Sequence, residues 1–380
     1  MIPKEKLLMN ERIDITIKPT MSCNMKCKHC FNGNYFLNSG IMEVEHACML
    51  MQKACHEYHN VKIIFHGGEP TLAGITFFRL FFERQHKLKN AYNTTFDNVF
   101  TTNGLLLTDD FIRLLKENNV LINVSFDGPY NHILRSNSDH IQHVLFKLRE
   151  ANCNFRCFCT LSKESVLHLL DIYYWFRDNN IPFKTLPIER RGFAKNDDEL
   201  IMTPETLASK FAEVYNVWVK DKSCKISYST FEEFAKLRRY QRFRKPWFGR
   251  KVALHPDGNI FVYGRPNDAN YCIGNIRKIN GIKECFESDQ YKQYIGKILK
   301  IKSLFCPSCY SHITCNGNNI ELAYLYVDDI ELIKYSCRQS SLIDQFILPI
   351  NDRISKDFRM GKGDQYNDFV YRTFSNEICL

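Results

Sequence analysis

Hydrophobic and polar positions alternate along the first half of the chain in two recurring patterns. Short apolar or alternating runs are typical of β-strands, whereas apolar residues at intervals of three and four are typical of α-helices. The short runs predict six strands, at Ile13–Lys18, Val61–Phe65, Phe96–Thr102, Val120–Phe126, Phe155–Leu161 and Phe183–Ile188. Between them the second pattern predicts helices, at Val44–Tyr58, Ile75–Leu88, from Thr108 onwards, at Ile141–Glu150, and from Ser162 to about Arg177.

This order of elements predicts an α/β fold with a parallel sheet. Strands that alternate with helices indicate βαβ units, and six such units make a partial (β/α)6 barrel over about residues 12–195. Thr108 and Ser162 can cap helices through their hydroxyl groups, and Asp109 and Asp110 suit the positive end of a helix dipole. Functional sites on such sheets lie at the carboxyl ends of the strands.

Composition adds a constraint on the chemistry. The chain has 380 residues and 16 cysteines, with no secretory segment and no apolar run long enough to span a bilayer. Without an export signal, so many cysteines favour metal ligation over a disulfide framework, and we expect a cytoplasmic protein. The net charge of +9 permits an acidic partner, such as an acidic peptide, but does not require one.

Three cysteines follow the first predicted strand at intervals of four and three: Cys23, Cys27 and Cys30. Soft sulfur ligands select iron–sulfur clusters or zinc over hard cations. A structural zinc normally has four protein ligands, whereas three thiolates suit three corners of a [4Fe–4S] cluster and leave one iron open. The alternative is a zinc knuckle completed by His29 or by a distant residue.

Polar and glycine-rich motifs follow the predicted strands. Each of them alone is also a common turn sequence, but their joint order is informative. Together with the cysteine spacing, they resemble the radical S-adenosylmethionine (radical SAM) enzymes over about residues 12 to 195. The motifs are His66-Gly67-Gly68-Glu69-Pro70, Thr101-Thr102-Asn103-Gly104, Ser125-Phe126-Asp127-Gly128-Pro129 and Arg191-Gly192-Phe193-Ala194.

The resemblance implies both the cofactors and the residues that bind them. A reduced [4Fe–4S] cluster on the three cysteines would chelate the amino and carboxylate groups of SAM. Electron transfer would then cleave SAM to methionine and a 5′-deoxyadenosyl radical, which abstracts hydrogen from the substrate. Ser125 is expected to bind SAM, and Arg135 is a candidate for its carboxylate. The full set of expected SAM-binding residues is Gly67, Gly68, Glu69, Pro70, Asn103, Ser125, Asp127 and Arg135.

A second group of cysteines lies near the C-terminus, at Cys306, Cys309, Cys315 and Cys337. Four thiolates can close a [4Fe–4S] site or a zinc ribbon, and the spacing allows both. In its context the group resembles the SPASM domain, an auxiliary-cluster module that follows many radical SAM cores. The resemblance implies one auxiliary [4Fe–4S] cluster on these four residues.

The match to the SPASM pattern is incomplete. His255-Pro256-Asp257-Gly258-Asn259-Ile260 and Gly274-Asn275-Ile276 are similar to the hairpin and Gly-Asn-Ile segments of that domain, but Tyr263 and Asn319 stand where it has cysteines. The proximal auxiliary cluster is therefore expected to be absent, which leaves two clusters in total. Cys272 and Cys285 could recruit another metal, although we interpret them as ordinary small buried residues.

The sequence predicts four segments: the barrel at 12–195, a helical connector at 196–250, a SPASM-like domain at 251–340 and a tail at 341–380. A basic stretch, Lys236–Lys251, begins near the end of the connector and is either a docking strip for an acidic peptide or for RNA, or a solvated helix face.

These features predict a radical SAM peptide maturase that forms an intramolecular crosslink, for example between an aromatic ring and a side-chain carbon. The expected partners are a precursor peptide and a low-potential electron donor of the flavodoxin or ferredoxin type, with no membrane or nucleic acid. One alternative is an anaerobic sulfatase-maturing enzyme, although Gly264 stands where such enzymes have an aspartate base. The other alternative is a metal-bearing scaffold that binds RNA or peptide without turnover.

Overall fold

The protein is described by a computed structural model that covers residues 12–33, 40–237, 249–262, 269–315 and 329–378. Within these residues the strands form a nine-stranded sheet in the order β6-β5-β4-β3-β2-β1-β7-β8-β9. Neighbours from β6 to β7 in this order are parallel, and the last two pairs are antiparallel. The strands are β1 (Arg12–Ile17), β2 (Asn60–Phe65), β3 (Thr95–Thr102), β4 (Leu121–Ser125), β5 (Phe155–Leu161), β6 (Phe183–Pro187), β7 (Lys251–Leu254), β8 (Asn259–Val262) and β9 (Cys272–Asn275).

The helices of the first half connect one parallel strand to the next, two more lie between β6 and β7, and the remaining ones follow β9. They are α1 (Val44–Glu57), α2 (Ile75–Tyr92), α3 (Asp109–Glu117), α4 (Ser138–Glu150), α5 (Leu169–Asp178), α6 (Pro204–Trp218), α7 (Ser229–Ala235), α8 (Lys283–Glu287), α9 (Asp289–Phe305), α10 (His312–Cys315), α11 (Ile330–Arg359) and α12 (Asp368–Ile378).

The predicted α/β fold with a parallel sheet is confirmed, and all six predicted barrel strands form. Thr108 caps α3 as predicted, because its Oγ1 accepts a hydrogen bond from the Phe111 N–H at 3.3 Å. Ser162 accepts from the Ser165 N–H, but a short 3₁₀ turn at Ser165–His168 comes before α5.

The outer face of the sheet packs against the helices through aromatic side chains. The Phe65 ring of β2 contacts Phe78 and Phe81 of α2 in edge-on arrangements, with ring centroids 5.1 and 5.0 Å apart. Phe100 of β3 joins the same cluster. Because successive side chains of a strand point to opposite faces, the residue after Phe65 points into the barrel. The carboxyl ends of the strands therefore carry polar side chains towards the interior.

The strands after residue 250 continue the barrel sheet. β7 pairs in parallel with β1, and β8 and β9 extend the sheet by antiparallel pairing. The predicted hairpin around Pro256 connects β7 to β8, and Gly258 has the positive φ of 83° that its tight turn requires.

The long helix α11 fastens the C-terminal residues to the rest of the chain. Asn351 accepts a hydrogen bond from Tyr215 of α6 at 2.8 Å, and Arg338 pairs with Glu205 at the start of α6. The boundary predicted between residues 340 and 341 falls inside this helix, and the division into four segments stays a prediction. In the part of the chain that the structure describes, no helix is long and apolar enough to cross a membrane.

Candidate active site at the carboxyl ends of the strands

The loop that follows β1 carries Cys23, Cys27 and Cys30 and is called the cysteine loop here. It brings these three predicted ligands together. Cys23, Cys27 and Cys30 are free thiols that are partly exposed. Burial, helped by the neighbouring Cys27 and Cys23, raises the pKa of Cys30 to about 12. Three thiolates so close together repel one another unless a cation holds them, which a metal cluster would do. The donor set and its accessibility therefore fit an iron–sulfur cluster.

Backbone contacts hold this loop against two other loops. The Lys28 N–H donates to the Leu134 carbonyl at 3.1 Å, and the Phe193 N–H donates to the Cys30 carbonyl at 3.0 Å. Gly192, with φ of 56°, lies so close that a Cβ on it would be 2.1 Å from the Cys30 oxygen. The Gly-x-Ala turn after β6 is thus fitted to the cysteine loop.

The loop that follows β2, which carries Gly67 and Gly68 and is called the glycine loop here, lies directly against the cysteine loop. The Gly68 N–H donates to the Thr20 carbonyl at 3.1 Å, and the Glu69 N–H donates to the Ser22 carbonyl at 2.8 Å. Asn32 donates from its side chain to the Gly67 carbonyl at 2.9 Å. The structure therefore joins two motifs that are far apart in the sequence.

The Glu69 carboxylate, which is 1% exposed, ties the glycine loop to the loop after β3. One oxygen accepts from the Thr71 N–H, the Thr71 hydroxyl and the Thr102 hydroxyl at 3.1, 2.7 and 2.8 Å. The other accepts from the Asn103 N–H at 2.7 Å. Burial raises the pKa of this carboxyl, and the four donors act in the opposite direction. This carboxylate therefore connects the two loops, and the SAM contact expected of Glu69 stays a prediction.

Replacing Glu69 by glutamine should test this role. The amide must place its NH₂ against either the Thr71 N–H or the Asn103 N–H, and neither of these donors can become an acceptor. We expect the free energy of unfolding to fall by about 1–3 kcal/mol, measured by urea denaturation.

The matched control is Glu199→Gln. The Glu199 side chain is 89% exposed and only 3.7 Å from Lys163 in a surface pair, so the change should stay within about 0.5 kcal/mol. Equal stabilities of the two variants would contradict the role of Glu69.

Asn103 reaches the cysteine loop with its side chain. Its Nδ2 donates to Asn24 Oδ1 at 2.8 Å and lies 3.8 Å from Cys23 Sγ. Its Oδ1 accepts from the Leu105 N–H at 3.0 Å, which fixes the orientation of the amide. Asn103 is therefore close to a predicted cluster ligand, as its motif suggested.

Asp127 and Arg135 form a buried ion pair beside the cysteine loop. The Arg135 Nε donates to Asp127 Oδ2 at 2.9 Å, and the Thr160 N–H donates to Asp127 Oδ1 at 2.6 Å. Arg135 also reaches Cys27 Sγ, at 3.6 Å from Nη1. Ser125, the other predicted SAM-binding residue of this region, ends β4 and is partly exposed.

The four C-terminal cysteines also converge. Cys306 follows α9, Cys315 ends α10, and Cys337 lies on α11. Burial, helped by the nearby Cys315, Cys309 and Cys306, raises the pKa of Cys337 to about 12. Within the described ranges no three His, Cys, Asp or Glu side chains are close enough together to hold a single metal ion. This does not conflict with a cubane cluster, because the thiolates that bind a cluster lie farther apart than those that bind one ion.

Cys272 and Cys285 lie close to each other near the end of the sheet. Cys285 is buried, and a Cβ on Gly274 would be 3.0 Å from its sulfur. Cys272 lies 3.5 Å from the Gly274 carbonyl oxygen. Tyr263, Gly264, Asn319 and most of the basic stretch lie outside the described residues.

A row of three basic side chains at the strand ends was not predicted as a unit. Lys18, His66 and His255 each follow directly after β1, β2 and β7, and the last residues of these strands are in register. Burial lowers the pKa of Lys18 to about 7. Burial, helped by Lys18, lowers the pKa of His66 to about 4 and that of His255 to about 2. The sequence did show a basic residue directly after each of these strands. It could not show that the three residues are neighbours, because that depends on the pairing of β7 with β1.

Comparison with known proteins identifies the class of enzyme. Residues 17–162 match the family model of the Radical SAM superfamily. The chain thus contains a radical SAM domain, and it is an enzyme. Enzymes of this class use a [4Fe–4S] cluster together with SAM, which confirms the cofactor prediction for the core.

Relatives extend the likeness along most of the chain. It is 22% identical over 360 residues to the cysteine-type anaerobic sulfatase-maturating enzyme of Clostridium perfringens, covering 89% of this chain and 96% of that one. The structure of native anSMEcpe with bound AdoMet (SAM) and Cp18Cys peptide has a TM-score of 0.76 at 19% identity, covering 92% of this chain and 100% of that one. Streptococcus suis SuiB bound to precursor peptide SuiA has a TM-score of 0.61 at 16% identity, covering 86% and 77%. These structures share the fold.

Proposed function

We propose that this enzyme is a peptide maturase that removes hydrogen from a residue within a polypeptide. The main support for radical chemistry is the contact between the cysteine loop and the glycine loop at the carboxyl ends of the strands. A polypeptide substrate is supported by the shared fold with anSMEcpe and SuiB, both of which have structures with a bound peptide.

In this proposal the chain's residues hold and orient the cofactors. Cys23, Cys27 and Cys30 hold the core cluster, which with bound SAM supplies a 5′-deoxyadenosyl radical. The loops that carry Gly67–Pro70 and Asn103, together with Ser125, would bind SAM beside this cluster. The barrel keeps the reacting C–H group in place and excludes water. A flavodoxin- or ferredoxin-type protein supplies the electron.

The four C-terminal cysteines are proposed to hold one auxiliary [4Fe–4S] cluster. Their mutual proximity supports this, since the thiols of Cys306, Cys309 and Cys315 all act electrostatically on Cys337. With four protein ligands such a cluster has no open iron. Its role would be structural and electron-accepting rather than substrate-binding.

The product that we propose is an intramolecular crosslink. Formation of one carbon–carbon bond removes two hydrogens from the peptide. One leaves as a hydrogen atom and converts the 5′-deoxyadenosyl radical into 5′-deoxyadenosine. The other leaves as a proton to a base and an electron to a one-electron acceptor such as the auxiliary centre. The sequence supports this choice because Gly264 stands at the position of the maturase aspartate.

Sulfatase maturation is the second candidate. Similarity over 96% of a sulfatase-maturating enzyme favours it. This reaction oxidises a cysteine or serine to formylglycine and leaves an aldehyde, which a carbon–carbon crosslink does not.

Co-expression tests both candidates against each other. The enzyme would be produced anaerobically with each short peptide encoded beside its gene, and separately with sulfatase-derived peptides that carry either cysteine or serine. We expect a loss of two hydrogens from a gene-neighbouring peptide, no reaction with an aldehyde-specific hydroxylamine probe, and fragment ions missing between the joined residues.

Other outcomes would change the conclusion. An aldehyde on a sulfatase-derived peptide would establish the maturase function instead. Unmodified peptides beside abundant 5′-deoxyadenosine would contradict both candidates. Zinc at both cysteine sites and no SAM cleavage would favour the scaffold alternative.

A further inference from the structure

Arg135 is placed to act on the cysteine loop. Its side chain is 8% exposed, and that of its partner Asp127 is 1% exposed. Its Nη1 donates to Cys27 Sγ at 3.6 Å. Its Nη2 donates to Thr160 Oγ1 at 2.9 Å and to His29 Nε2 at 3.1 Å, where the histidine must be the acceptor because arginine only donates. One guanidinium therefore joins the loop after β4, strand β5 and the cysteine loop.

A count of donors limits what else Arg135 can bind. A guanidinium has five N–H groups. Nε–H is used by Asp127, one Nη1–H by Cys27, and both Nη2–H groups by Thr160 and His29. A carboxylate that binds arginine in the fork geometry needs two parallel N–H groups. Only one remains, so the SAM carboxylate could not be held in this way without breaking the network.

We infer that Arg135 is a positioning residue that sets the reduction potential of the core cluster through the Cys27 sulfur. The inference rests on the proposed role of Cys27 as a cluster ligand. Hydrogen bonds to ligating sulfur and nearby positive charge favour the reduced cluster, because it carries one more negative charge. Asp127 opposes this effect with a fixed negative charge, and burial strengthens both contributions.

Two substitutions should therefore shift the potential in opposite directions. Arg135→Gln removes the positive charge and the sulfur contact, so it should make the cluster harder to reduce. Asp127→Asn leaves the arginine charge unopposed, so it should make the cluster easier to reduce. A purely structural role for the pair would not produce shifts of opposite sign.

The measurement is a redox titration of the full-length reconstituted enzyme without SAM, followed by electron paramagnetic resonance. The signal of the core cluster is the one that disappears in the Cys23/Cys27/Cys30→Ala variant. For Arg135→Gln we expect the ratio of reduced to oxidised cluster at a fixed potential to fall about tenfold, which is about 59 mV for one electron. SAM affinity, measured from the SAM-induced change of the same signal, should change less than about tenfold, because at most one N–H group of Arg135 is left for a contact with SAM.

Arg156→Gln is the matched control. Arg156 lies on β5 and is hydrogen-bonded to Asn123 at 2.9 Å, and none of its hydrogen bonds within the described residues reaches a cysteine. It should leave the potential unchanged. Arg135→Lys keeps the positive charge but loses the planar guanidinium and its contacts. We expect a smaller shift of the potential in the same direction as in Arg135→Gln, and this variant can be measured even if the glutamine variant incorporates little iron.

An unchanged potential together with a tenfold or greater loss of SAM affinity would overturn the inference and assign Arg135 to the SAM carboxylate. Shifts of the same sign in the Arg135→Gln and Asp127→Asn variants would also overturn it. If the wild type and the triple cysteine variant give the same signals, the proposed cluster site itself has failed. That result differs from one in which the core cluster forms normally and its reduction potential does not depend on Arg135, which would contradict only the inference.

Discussion

Replacing Cys23, Cys27 and Cys30 together by alanine is expected to abolish SAM cleavage and to halve the iron content of the enzyme. After anaerobic reconstitution the wild type should contain about eight irons per chain and the variant about four, because each [4Fe–4S] cluster holds four. The three thiols lie in one loop and affect one another electrostatically, so their simultaneous loss removes a whole site. Iron analysis and the formation of 5′-deoxyadenosine under dithionite measure the two effects.

The control for this variant replaces three cysteines that lie outside both predicted sites. Cys48, Cys153 and Cys224 are free thiols on other elements, and their replacement by alanine should leave about eight irons and normal cleavage. About twelve irons in the wild type would contradict the two-cluster prediction and indicate a further site, for which Cys272 and Cys285 are the candidates. About four irons with zinc at the C-terminal site would make that site a structural support.

Local patterns were sufficient to predict the barrel elements. Strands such as Phe155–Leu161 are short apolar runs flanked by helical periodicity, and β5 has these same bounds. Motif positions followed from the same reasoning, since Gly67–Pro70 and Asn103 come directly after β2 and β3. Parallel strands end at one edge of the sheet, so residues after them had to be neighbours.

Contacts between distant segments could not be predicted in this way. The Glu69 carboxylate accepts hydrogen bonds from Thr102 at the end of β3 and from Asn103 directly after it, and the distance to both depends on the pairing of β2 with β3. Arg135 reaches Cys27 across 108 positions of sequence. Neither the contacts of Glu69 nor that of Arg135 can be predicted from a local sequence pattern, because both depend on how the strands pair.

The extension of the sheet beyond the barrel was missed for the same reason. The hairpin of β7 and β8 was predicted from its turn residues, which are local. Pairing of β7 with β1 joins residues more than two hundred positions apart, and it carries His255 to the row that contains Lys18. The basic row is thus a property of the register and not of any one motif.

Replacing Gly68 by alanine is expected to reduce SAM cleavage about a hundredfold, because a displacement of about 1 Å in a catalytic site can have an effect of this size. A Cβ at this position would be 2.0 Å from the Ser22 oxygen and 2.5 Å from the Met21 oxygen. The obstacle is backbone, and the flanking hydrogen bonds from Gly68 to Thr20 and from Glu69 to Ser22 hold the two loops together. The methyl group must therefore separate the glycine loop from the cysteine loop, which the rate of 5′-deoxyadenosine formation per cluster measures.

The same substitution at Gly296 separates this steric effect from a general effect of losing a glycine. Gly296 lies within α9, and a Cβ there would meet nothing within 4 Å. Alanine at this helical position should stabilise the protein by about 0.5–1 kcal/mol and leave cleavage unchanged. Wild-type cleavage by the Gly68→Ala variant would show that the two loops need not touch for SAM to react, and the contact that carries the proposed chemistry would then lose its role.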